Sequence, residues 1–155
     1  MLKATSFEFI VRILPEAFIF IFAAYAFSRS KVKVNKYIIA SILLGISVFC
    51  IRMLPINYGV HTILNIIMQT VIVTYICNIN MIEAIKCAII TAVTLFIFEG
   101  INMLALNLIF GENVVGIFAD VKSKTIAGLP SLGLFGIIVI GYYIYLCKRK
   151  KFVYV

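Results

Sequence analysis

Apolar residues in this chain fall into five long blocks, with polar residues gathered at the junctions between them. The blocks cover residues 9–27, 37–53, 59–76, 85–110 and 129–147. Each is close to the roughly 20 helical residues that cross a hydrocarbon core of about 30 Å. Helix is the conformation expected, because an isolated strand would leave its backbone groups unpaired in lipid. Pro55 and Asn57 predict a tight turn after the second block, and Asn78 and Asn80 a turn after the third. The fourth helix is expected to begin near Met81, with Glu83 and Lys86 at the surface, and Gly111 is a stop signal at its far end. The predicted architecture is all-α, a polytopic transmembrane helical bundle of about five spans, forming a single integral membrane domain over residues 1–155. No internal repeat is visible, and an odd number of spans does not divide into an inverted pair.

Composition supports this reading. Hydrophobic residues make up 64% of the chain and charged residues 13%, about half the charged share usual in a soluble domain. Glu8, Arg12 and Glu16 interrupt any signal-peptide core and no small-residue cleavage site follows, so the first helix is expected to stay in the mature protein.

The formal net charge is +8, and its placement orients the bundle. Arg29, Lys31, Lys33 and Lys36 follow the first span, and Lys148, Arg149, Lys150 and Lys151 follow the fifth. Five spans put both clusters on one side, which the positive-inside rule assigns to the cytoplasm. The N-terminus and the loop over residues 112–128 are then expected outside. This loop sets Glu112 and Asp120 against Lys122 and Lys124. Basic clusters beside apolar runs fit anionic lipid at the cytoplasmic face, not a nucleic-acid footprint. The expected location is a bacterial plasma membrane, with a cytoplasmic or membrane protein partner or a second copy as further contacts.

Polar residues inside such blocks call for an explanation. His61, Asn65 and Gln69 recur every four residues and share one face of the third helix. Counted at 1.5 Å per residue from the outer end, Gln69 lies roughly 15 Å deep. Glu99, followed by Gly100 and Asn102, lies about 16 Å in from Phe110 on the same count. The two depths predict that the third and fourth helices bring these groups together. The expected result is a cavity open to the outside, lined by His61, Asn65, Gln69, Glu99 and Asn102, with Tyr58 near its mouth. Glu99 is expected to be protonated or paired with His61 or Arg52. Interhelical hydrogen bonding accounts equally well for the His–Asn–Gln stripe. Glu8, Arg12 and Glu16 also recur every four residues and predict a charged, headgroup-facing ladder near the outer leaflet, to which Arg52 adds a cation.

Catalytic signatures are not found. HExxH, GxSxG, P-loop and GxGxxG patterns are missing from the sequence. Cys50, Cys77, Cys87 and Cys147 form no CxxC pair and no metal-ligand spacing, and read as buried hydrophobes. His61 and Cys77 are a whole span apart, which prevents a Cys–His peptidase pair within one helix. Neither a cofactor, nor a metal, nor an enzymatic activity is expected.

The segment Arg52-Met53-Leu54-Pro55-Ile56-Asn57-Tyr58-Gly59-Val60-His61-Thr62, the stretch over residues 80–99 and the run of short spans resemble the membrane sensor region of Agr-type peptide-pheromone sensor histidine kinases. The resemblance covers most of the chain. It implies a multispan region that binds an extracellular peptide and signals to a cytoplasmic kinase. After Lys151 only Phe152, Val153, Tyr154 and Val155 follow, with no phosphoacceptor helix or ATP-binding domain, so the chain is not expected to act as a kinase itself. The expected function is a non-catalytic membrane receptor or sensor module for a small or peptide signal. A substrate-binding transport component and a structural membrane subunit are the alternatives.

Overall fold

The computed structural model describes residues 9–54, 58–110 and 126–149. The turn at Pro55 and Asn57, the stop at Gly111, most of the 112–128 loop, Glu8, Lys150 and Lys151 lie outside the described residues. Within them the chain forms five helices and no strand. A π-helical turn, Phe9–Ile13, leads into α1, Leu14–Phe27. Next come α2, Val34–Met53, α3, Tyr58–Tyr75, α4, Met81–Phe110, and α5, Leu129–Lys148. Four of these helices are long and apolar enough to cross a membrane, and α3 is a shorter apolar helix. This is the architecture of a multi-pass membrane protein.

Helix α2 starts three residues earlier than the hydrophobic pattern predicts, at Val34. Lys33 and Lys36 are tolerated there because a lysine stem lies along apolar surface while its ammonium reaches the interface.

Helix α1 is the axle of the bundle and packs against all four others. In lipid no hydrophobic driving force separates helix from solvent, so association depends on close van der Waals contact and small residues. Ala17, Ala23, Ala24 and Ala26 of α1 are all buried. Neighbouring helices answer with glycine: a Cβ on Gly45 of α2 would lie 3.3 Å from Leu14 Cδ2, and one on Gly136 of α5 would lie 3.2 Å from Ile19 Cδ1. Both glycines let a neighbour approach α1 closely.

At the basic end, α1 closes with a Schellman-type cap, in which Ser30 N–H donates to the Tyr25 carbonyl at 3.0 Å. Arg29 takes the left-handed conformation this cap needs, φ 54°. Asn78, φ 57°, does the same in the turn after α3, a conformation asparagine tolerates well. With its amide turned so that oxygen and nitrogen each meet a complementary neighbour, Asn78 accepts from Lys36 Nζ at 2.7 Å and donates to the Tyr75 carbonyl at 3.3 Å. This contact places the α1–α2 and α3–α4 connections at the same end. Aromatic rings fill that end: Phe22 packs on Tyr143 at 5.0 Å and Phe27 on Tyr142 at 5.8 Å between ring centres. The Tyr37 hydroxyl donates to the Phe18 carbonyl at 3.1 Å.

Candidate functional site: ion pairs and a recess at the end opposite the basic clusters

The charged residues of the first helical segment do not form a headgroup-facing ladder. Arg12 turns to α4, where its Nη2 donates to Glu99 Oε1 at 2.6 Å. Glu16 turns to α2 and accepts from Arg52 Nη2 at 3.1 Å. The segment passes from the π-helical turn Phe9–Ile13 into α1 with Pro15 in its first turn, and from there the two side chains leave toward different neighbouring helices. Both charges are thereby spent inside the bundle, where a pair costs far less than either ion alone. Glu99 is paired as the sequence predicts, but with Arg12 in place of His61 or Arg52.

The expected meeting of Gln69 with Glu99 does not occur. Gln69 is buried and its amide donates to the Phe20 carbonyl of α1 at 3.4 Å. Glu99 is level with Arg12, which precedes Phe20 by eight residues on the same segment, so the two groups are well separated in depth. The depth count from Phe110 fails because α4 runs over 30 residues, about 45 Å, and overshoots its neighbours. Counting both helices from their shared turn corrects it. Gln69 is six residues above Tyr75 and Glu99 eighteen above Met81, a difference of about 18 Å. That count was available in the sequence.

His61 and Asn65 stay on the α3 face shared with Gln69. Their Nδ1 and Oδ1 atoms are buried and find no hydrogen-bond partner among the described residues. Neither residue lines the space around Glu99. The predicted five-residue cavity is therefore divided: Glu99 and Asn102 line a recess, while His61, Asn65 and Gln69 lie deeper or to one side.

That recess is a half-open space of about 310 Å³ between the first helical segment, α4 and the start of α5. Arg12, Glu99, Asn102 and Ser131 supply its polar groups, and Phe96, Met103 and Leu106 its apolar wall. Asn102 Nδ2 donates to the Ala127 carbonyl at 2.7 Å, which ties α4 to the turn entering α5. Ser131 Oγ donates to the Gly128 carbonyl at 2.8 Å and closes the first turn of α5. Gly128 brings the chain close to Arg12, since a Cβ there would stand 3.1 Å from Arg12 Nη1. Gly100 also lines the recess, and a Cβ there would meet nothing within 4 Å. Arg12, Gly128 and Ser131 were absent from the predicted cavity, because nothing local in sequence signals that α5 begins beside Arg12.

The volume is at the lower end of the ~300–1,000 Å³ usual for ligand sites. It holds a headgroup or one or two side chains. The ion pair engages one guanidinium nitrogen and one carboxylate oxygen, and the Glu99 side chain is 41% exposed. The site therefore offers one cationic and one anionic group, side by side, against an apolar wall. Among the described residues no three His, Cys, Asp or Glu side chains group as metal ligands. No protein family, no curated protein and no solved structure matches the chain.

Proposed function

We propose that this chain is a non-catalytic membrane receptor or sensor module. It captures a small ligand, or the end of a peptide, in the recess beside the Arg12–Glu99 pair and relays occupancy to a partner at its basic end. On this reading the basic end faces the cytoplasm, in accord with the positive-inside rule, and the recess opens at the opposite face. The observation that carries the proposal is the placement of a half-exposed ion pair of the axle segment in the wall of a ligand-sized recess. An occupant competing for Arg12 changes how the first segment is tied to α4. Because α1 touches every other helix, that change has a rigid path to the Arg29–Lys36 side of the bundle. The resemblance to Agr-type sensor regions points the same way.

Co-purification tests the reading. A molecule that mass spectrometry finds on the wild-type protein should be lost from Gly100→Leu, which fills the recess without breaking a polar contact. An identical set of bound molecules on both proteins would refute a ligand role for the recess.

A structural subunit is the second reading, favoured by the overhang of α4. Leu104, Leu108 and Ile109 lie beyond the level of Glu99 and are exposed, Leu108 at 88%. A partner helix would cover them.

A further inference from the structure

We infer that the recess takes the headgroup of an aminophospholipid, with the phosphate on Arg12, the primary ammonium on Glu99 and the acyl chains along α4. The inference rests on the ligand-capturing reading above and names its ligand class. Three observations carry it.

The first is charge. An anion alone would pair with Arg12 and leave Glu99 facing a like charge, and a cation alone would strand Arg12. A ligand carrying both charges replaces one ion pair with two and leaves no buried charge unpaired. Guanidinium matches phosphate with parallel N–H donors, and a primary ammonium brings three donors to a carboxylate.

The second is the direction of the opening. Phe96, 77% exposed, and Met103 form the outer edge of the recess and face the surface of the bundle. Entry is therefore lateral, from the bilayer. Ile89, Val93, Phe96, Gly100 and Met103 are spaced 4, 3, 4 and 3 residues apart and all are exposed, so they form one stripe on α4. From Gly100 to Ile89 the stripe descends 11 residues, about 16 Å, or half of a ~30 Å hydrocarbon core. This is the depth of one leaflet.

The third is level. Arg12 abuts Gly128, immediately before α5 begins its span at Leu129. The polar groups thus stand at headgroup height for α5, although α4 continues past them.

The test uses the full-length protein, stripped of lipid in detergent and titrated in native mass spectrometry with phosphatidylethanolamine, phosphatidylcholine, phosphatidylglycerol and free phosphorylethanolamine. Phosphatidylethanolamine should be retained at least 10-fold better than phosphatidylglycerol, and better than phosphatidylcholine, whose quaternary ammonium has no N–H to donate. Glu99→Gln should remove the preference over phosphatidylglycerol, and Arg12→Gln should weaken all the phospholipids. Gly100→Leu, which keeps every polar group, should also lose phosphatidylethanolamine. Equal retention of the three lipids by the wild type, or retention unchanged in Gly100→Leu, overturns the inference. Free phosphorylethanolamine binding as well as the lipid overturns lateral lipid capture and points to a soluble zwitterion. If no lipid is preferred but some other molecule from membranes is still lost from Gly100→Leu, the lipid assignment falls and the receptor reading survives. If Gly100→Leu changes no binding at all, both fall.

Discussion

The two ends of the axle helix share close packing and differ in the polar ties added to it. Toward the basic end, α1 is packed by methyl-sized contacts: Ala23, Ala24 and Ala26 are almost wholly buried, Tyr25 is buried with them, and the chain leaves through a backbone cap. Toward the other end Ile13 and Ala17 are buried too and Leu14 meets Gly45, but two ion pairs to two different helices are added, with a recess open beside one of them. Close packing admits few arrangements and holds the helix in one register. An ion pair with a half-exposed partner can exchange that partner for a ligand group of the same charge. One end is therefore suited to anchor the helix and the other to respond.

The sharpest way to break this contrast is at Glu16. Its side chain is 11% exposed and that of Arg52 24%, so this pair is the more enclosed of the two. Glu16→Ala leaves the Arg52 charge enclosed without Glu16 and should cost about 3 kcal/mol, the lower end for breaking a buried pair. Unfolding in detergent titrated with a denaturing surfactant reads it. The Glu16→Gln/Arg52→Gln double variant should recover much of the loss, because no charge is left behind; failure to recover would show that the pair is more than mutual neutralisation.

Overpacking at the opposite end comes next. Ala24→Leu forces three extra carbons against helices already in contact and should cost about 2 kcal/mol by the same measurement. It should leave the binding preference of the recess intact, whereas an altered ligand profile would contradict the division between anchoring and responding ends.

Glu99→Gln should have a smaller stability effect, about 1 kcal/mol, since solvent or headgroups screen a carboxylate this open. Its main effect should be on binding, a loss of 10-fold or more in the preference for zwitterionic over anionic lipid. Smallest is the exposed Lys86–Glu83 pair, 3.0 Å apart within one turn of α4. Lys86→Gln should change stability by roughly 0.3 kcal/mol, and a larger effect would show that this turn of α4 has a partner the ion pair serves.

Much of the fold was legible without coordinates. Hydropathy and the Pro, Asn and Gly punctuation place the helices within a few residues, because each apolar block must become one helix to satisfy its backbone in lipid. The gathering of Arg29, Lys31, Lys33 and Lys36 with Lys148 and Arg149 at one end follows from the number of spans. Glu99 and Asn102 were also identifiable as candidate site residues, since polar groups in an apolar block have few uses. Periodicity was less informative for Arg12 and Glu16, whose four-residue spacing suggests one shared face. In the structure Arg12 reaches Glu99 of α4 and Glu16 reaches Arg52 of α2.

What the sequence by itself determined is therefore the helices, their ends and the short list of polar residues they carry. Tertiary structure alone decided who pairs with whom: Arg12 with Glu99, Glu16 with Arg52, and Gln69 with a backbone carbonyl of α1. The physical reason is that hydropathy reports whether a segment is buried in an apolar phase, but not its height relative to helices to which no short turn joins it. In a bundle whose helices run from 14 residues in α1 to 30 in α4, relative height is set by packing around α1, where Gly45 and Gly136 allow two neighbours to close in.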